Sequence, residues 1–116
     1  MNNEPKAILN LEDFLNRMMQ DRELVKTILD EFLAELPGKL ETLGRLVADG
    51  NTREASVLAH LIKGEAASVG AERMSRAAYR LELAAKENNT EEVKNNLPSL
   101  EENAALFMKT VEEMAI

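Results

Sequence analysis

Val93, Leu97, Leu100, Ala104, Phe107, Val111 and Met114 follow one another at alternating intervals of four and three residues. This spacing keeps one side of an α-helix apolar and does not fit a strand, whose side chains alternate between faces. A helix with such a stripe must bury it against other helices, in a bundle or a coiled coil. Thr90 can cap this helix, which is expected to run to about Met114 with a kink near Pro98.

The same period appears earlier in the chain. Val25, Leu29, Phe32, Leu36, Leu40, Leu43 and Val47 form a stripe in a long helix from a cap at Asp21 to about Asp49. Pro37-Gly38 interrupts it, and a kinked single helix is expected in preference to two helices. Asp49-Gly50-Asn51 reads as a turn. A shorter helix from Leu11 to about Met19, capped by Asn10, carries Leu11, Phe14, Leu15 and Met18 on one face. Another from about Glu72 to Glu87 buries Met74, Ala77, Ala78, Leu81 and Ala85. Residues 1–9, which include Pro5, read as a lead-in, and residues 10–116 as one domain. Short connections make neighbouring helices antiparallel. The expected fold is all-α: an up-down-up-down four-helix bundle with a short N-terminal helix packed across it.

Composition narrows the function. Apolar residues make up 45% of the 116, and aromatics only 3%, so the core must be aliphatic and rich in alanine. A net charge of −7 argues against nucleic acid and against an anionic membrane surface. No run of 18 apolar residues is present, nor an apolar leader at the N-terminus. Without cysteine there are no disulfides or thiolate metal sites. A cytoplasmic location is expected. Several of the six methionines fall on stripe positions, which favours gap-filling in the core over an adaptable binding groove.

The chemistry lies between Thr52 and Val69, a helix that Asn51 or Thr52 can cap and that Gly70 can end. Ala55, Leu58, Ile62, Ala66 and Val69 form its buried stripe. His60, the single histidine of the chain, points the other way, with Arg53, Ser56, Val57, Lys63, Gly64 and Ala67 on its side. Gly64 costs about 1 kcal/mol relative to Ala in a helix interior, and it removes bulk one turn from the imidazole. Lys63 brings a mobile charge with three donors, suited to phosphate oxygens. These residues suggest an exposed nucleophile with a cleared approach and a phosphate neighbour. A surface histidine with an incidental lysine is the plain alternative.

The whole stretch AHLIKGEAASVGA, Ala59 to Ala71, resembles the signature of histidine-containing phosphotransfer (HPt) domains of two-component phosphorelays. That pattern is a small residue, the phosphorylated histidine, two residues, Lys-Gly, small residues, an aliphatic and Gly-Ala. Here it reads Ala59, His60, Lys63, Gly64, Ala66, Ala67, Val69, Gly70 and Ala71. The order and lengths of the helices extend the resemblance over nearly the whole chain. Glu65 departs from it, because a small residue is usual there. A carboxylate near the apolar edge needs a partner, for which Arg73, Arg76 and Arg80 are candidates.

The resemblance implies that His60 accepts a phosphoryl group from the aspartyl phosphate of a response-regulator receiver domain and passes it to another receiver. An upstream hybrid histidine kinase is then implied too. Chemotaxis-kinase phosphotransfer domains, which are similar, orient the ring with a glutamate 22 positions after the histidine; here that is Glu82. Lys63 would stabilise charge on the phosphoryl group, and Gly64, Val57, Leu61, Ala67 and Ala78 would form the receiver-docking patch. No cofactor is implied, any magnesium being supplied by the receiver, and the module would be a monomer. No nucleotide loop or kinase motif is present, so autophosphorylation from ATP is not expected.

Other readings remain. The chain could be the phosphoacceptor domain of a larger chemotaxis-type or hybrid sensor kinase, or an inert helical adaptor of the same fold. An intact His60-Lys63-Gly64 set argues against the adaptor. A di-iron bundle needs Glu-x-x-His pairs on two helices, and Val57 stands three before the histidine. A homodimeric coiled coil through the last helix is a further possibility.

Overall fold

Asn10, Asp21, Asn51 and Asn89 each start a helix by the same device. The side-chain oxygen accepts the backbone N–H three residues on, from Asp13, Leu24, Glu54 and Glu92, at 3.0 to 3.2 Å. The computed structural model describes residues 7–114, and among these it has five helices and no strand. They are α1 (Leu11–Arg17), α2 (Arg22–Ala48), α3 (Thr52–Ser68), α4 (Glu72–Lys86) and α5 (Thr90–Glu113). Most of the lead-in, residues 1–6 with Pro5, lies outside the described residues, as do residues 115 and 116.

Two boundaries differ from expectation. The α1 helix stops at Arg17 because Met19 and Gln20 both turn left-handed, at φ 56° and 64°, which frees Asp21 to cap α2. Asn89, not Thr90, caps α5: Asn88 takes the left-handed conformation (φ 56°) that ends α4, and the next side chain is left to serve α5. The α2 helix runs unbroken through Pro37, and α5 through Pro98, so the two-helix alternative at Pro37 is excluded.

The α3 helix packs on α2 and α4, α4 on α5, and α5 returns to α2, closing a four-helix bundle. Phe14, Leu29, Leu36, Leu43, Ile62, Leu81, Leu100 and Phe107 fill its centre. Phe32 meets Phe107 edge to face, with centroids 5.6 Å apart. Buried alanines line both α3 (Ala55, Ala59, Ala66) and α4 (Ala77, Ala78, Ala85), and their small side chains let two backbones lie close. Ala59 is fully buried where Leu58 was expected; Leu58 is half-buried at the margin of the core. A methyl group fits a narrow interface that an isobutyl group does not.

The short N-terminal segment braces the α3–α4 turn. Gly70, at φ 79°, gives its carbonyl to Asn10 N–H at 2.8 Å. A β-carbon there would lie 2.8 Å from the Asn10 carbonyl oxygen, so only glycine fits. Ala71 cannot cap α4 with its side chain; instead Ala7 O takes the Arg73 N–H at 3.0 Å, and the Glu72 carboxylate holds Ala7 N–H and Asn10 Nδ2. Arg17 of α1 closes the other side of the turn, its guanidinium donating to the carbonyls of Ser68 and Ala67 at the end of α3.

Candidate functional site

The α3 and α4 helices bring His60 and Glu82 together. The His60 side chain is 64% exposed, on the face opposite the buried stripe, as its position on the helix requires. Glu82 follows Leu81 on the core side of α4 and is 1% exposed, the one buried charged residue among those described. Its carboxylate reaches outward under α3. Oε2 lies 2.8 Å from His60 Nδ1, Lys63 Nζ is 3.0 Å from Oε1, and Lys86 Nζ is 3.1 Å from Oε2.

A buried carboxylate survives only if paired. Burial pushes the Glu82 carboxyl up, and Lys63, Lys86 and the His60 ring more than offset it, bringing its pKa from 4.5 down to about 2. Glu82 is therefore ionised near neutrality and can only accept hydrogen bonds. An acceptor at Oε2 is matched by a donor at Nδ1, so the geometry suits a His60 ring that keeps its proton there and gives that N–H to Oε2. Nε2, the other ring nitrogen, has no partner among the described residues. In the neutral ring that atom holds the free lone pair. Oε1 accepts no aligned hydrogen bond and is met by the charge of Lys63 alone.

Lys63 is held on two sides, by Glu82 and by the face of Tyr79, 5.0 Å from the ring centroid. Its three donors leave room for one more acceptor. Gly64 is exposed, and a β-carbon built on it would touch nothing within 4 Å. Internal packing therefore gives no reason for a glycine there, and the space above α3 beside His60 is open. Val57 (65% exposed), Leu61 (47%) and Ala67 are accessible around the histidine.

Ala78 must be removed from that patch. It is fully buried, because it lies on the same side of α4 as Leu81 and Ala85. Tyr79 and Leu83 are exposed on α4 instead, and with Lys63, Ala67, Arg76 and Arg80 they line a groove of about 610 Å³ between α3 and α4. Lys86 was also missed, although its spacing of four from Glu82 is the usual signal of a helix ion pair. The partner of Glu65 is not an arginine of α4. It is Lys39 of α2, at 2.6 Å, which also pairs with Glu35 at 3.0 Å. Glu65 thus tilts toward α2, away from the arginines.

Among the described residues no helix is long and apolar enough to cross a membrane. A family model described as Hpt domain matches residues 27–114, which span most of α2 and all of α3, α4 and α5. Comparisons with curated proteins and with solved structures gave no match.

Proposed function

The chain belongs to the Hpt domain family, and on that premise we propose that His60 is its phosphoacceptor, charged by the aspartyl phosphate of one receiver domain and discharged to another. One observation carries the assignment: the carboxylate of buried Glu82 lies 2.8 Å from Nδ1 of an exposed ring, where it can accept that N–H and leave the Nε2 lone pair free to attack.

In the forward step the Nε2 lone pair attacks phosphorus as the bond to the aspartate oxygen breaks. The aspartate leaves as a carboxylate, and the N–P bond forms. The Nδ1 proton stays on the ring, and Glu82 offsets the positive charge that develops there. Lys63 keeps its hold on Glu82 and turns a remaining donor to the phosphoryl oxygens. The partner docks over Val57, Leu61, Ala67 and Gly64, and Gly64 leaves room for its acidic pocket, which brings any magnesium. The reverse step retraces the same path. The protein acts in the cytoplasm as a monomer, downstream of a hybrid kinase.

The test is phosphotransfer from a panel of receivers phosphorylated on aspartate, with magnesium, to wild type and to His60→Gln. Acid-labile, base-stable phosphate should appear on the wild type alone. Equal labelling of both chains, or none on a folded wild type from any receiver, would reject the assignment and favour an inert adaptor.

A further inference from the structure

Two donors compete for one oxygen. His60 Nδ1 and Lys86 Nζ lie 2.8 and 3.1 Å from the same Oε2 of Glu82, while Lys63 Nζ meets Oε1. His60, Lys63 and Glu82 are used in the reaction proposed above; Lys86 is not. It stands one turn beyond Glu82 on α4, so the helix itself holds its ammonium over the carboxylate. Exposed pairs with this spacing ordinarily have little effect. This one differs, because the carboxylate side chain is only 2% exposed and its field is screened less than that of a surface group.

Among the described residues, the charged groups in contact with Glu82 come from two helices, His60 and Lys63 from α3 and Lys86 from α4 itself. The α2 and α5 helices give it no ion pair or hydrogen bond, and Tyr79 of α4 acts on Lys63 rather than on the carboxylate. A carboxylate facing a histidine favours the cationic ring, which has no lone pair to attack with. A cation on the same oxygen opposes that. We infer that Lys86 is a positioning residue: by sharing Oε2 with His60 Nδ1, it weakens the carboxylate's stabilisation of a doubly protonated ring and keeps Nε2 free. The purpose of this arrangement rests on the phosphoacceptor assignment; the state of the ring does not, and it can be measured without a partner.

The experiment follows the His60 ring by proton–nitrogen NMR from about pH 5 to 9 in wild type, Lys86→Gln and Lys86→Arg. In parallel it measures phosphorylation by phosphoramidate, in which the bond from Nε2 to phosphorus forms as the P–N bond breaks and ammonia leaves. Lys86→Gln should move the ring's titration midpoint up by about half a pH unit, and the acid limb of the rate profile with it. Lys86→Arg should restore both. A midpoint unchanged in Lys86→Gln, or shifted equally in Lys86→Arg, would overturn the inference. A shift in Lys86→Gln that arginine restores, with no transfer to wild type from phosphoramidate or any receiver, would uphold the effect of Lys86 on the ring and reject the phosphoacceptor assignment instead.

Discussion

Nδ1 of His60 and Oε2 of Glu82 stand 2.8 Å apart, so a carboxylate almost wholly out of water is joined to a ring that is mostly in it. The buried partner is thus placed to set the tautomer of the exposed one. Glu82→Gln keeps the shape and removes the charge, and its amide can turn either an oxygen or an N–H toward the ring. The expected result is a mixed tautomer population in nitrogen NMR and phosphotransfer slowed by about 10- to 100-fold. Unchanged tautomer and rate would remove Glu82 from the reaction.

The same carboxylate gives the fold an acid-sensitive contact. Its pKa is lowered from 4.5 to about 2 in the folded chain, so its contribution is full above pH 4.5 and is lost as the pH falls through about 2. By linkage this is no more than about 3 kcal/mol, and less in practice because the Lys86 and His60 partners face solvent. Thermal unfolding at a series of pH values should show a steeper acid decline for wild type than for Glu82→Gln.

Gly64 separates stability from docking. Nothing lies within 4 Å of a β-carbon there, so Gly64→Ala should stabilise the helix by up to about 1 kcal/mol in urea unfolding. Gly64→Leu fills the open space beside His60. It should slow transfer from a receiver by about tenfold, equivalent to about 1.4 kcal/mol, and leave phosphorylation by phosphoramidate nearly unchanged. An equal loss with both donors would mean that the glycine serves the imidazole and not the partner.

Gly70 should tolerate no side chain. Gly70→Ala meets both a left-handed backbone and the Asn10 carbonyl. A loss of roughly 2 kcal/mol or more is expected, measurable as a lower urea midpoint. In hydrogen exchange the opening should concentrate where residues 7–10 meet the α3–α4 turn.

The helices were legible because apolar period and caps agree: the stripe of α5 and the Gly70 stop stand as read, and of the two caps open to α3, Asn51 or Thr52, the structure uses Asn51. The pairing of His60 with Glu82 was reached through a family resemblance, and the burial of Glu82 was not foreseen. The period of α4 puts Ala78 in the core with Leu81 and Ala85, as the structure has it; only the family resemblance put it in the docking patch. A single helix wheel cannot say which neighbour covers a flank, and Glu65 was misplaced for that reason. Its partner Lys39 comes from a different helix, 26 residues earlier, and no periodicity encodes that distance. Lys86 could have been read from spacing alone, but only beside a carboxylate already known to be buried.

His60, Lys63, Glu82 and Lys86 all lie on α3 and α4, two helices joined by a turn of a few residues. Such a unit closes with little loop entropy and few distant contacts. It also confines the acceptor chemistry to one hairpin. Among the described residues, the ion pairs of Glu82 all come from this hairpin, so surface charge on the far faces of α2 and α5 can change without breaking any of them.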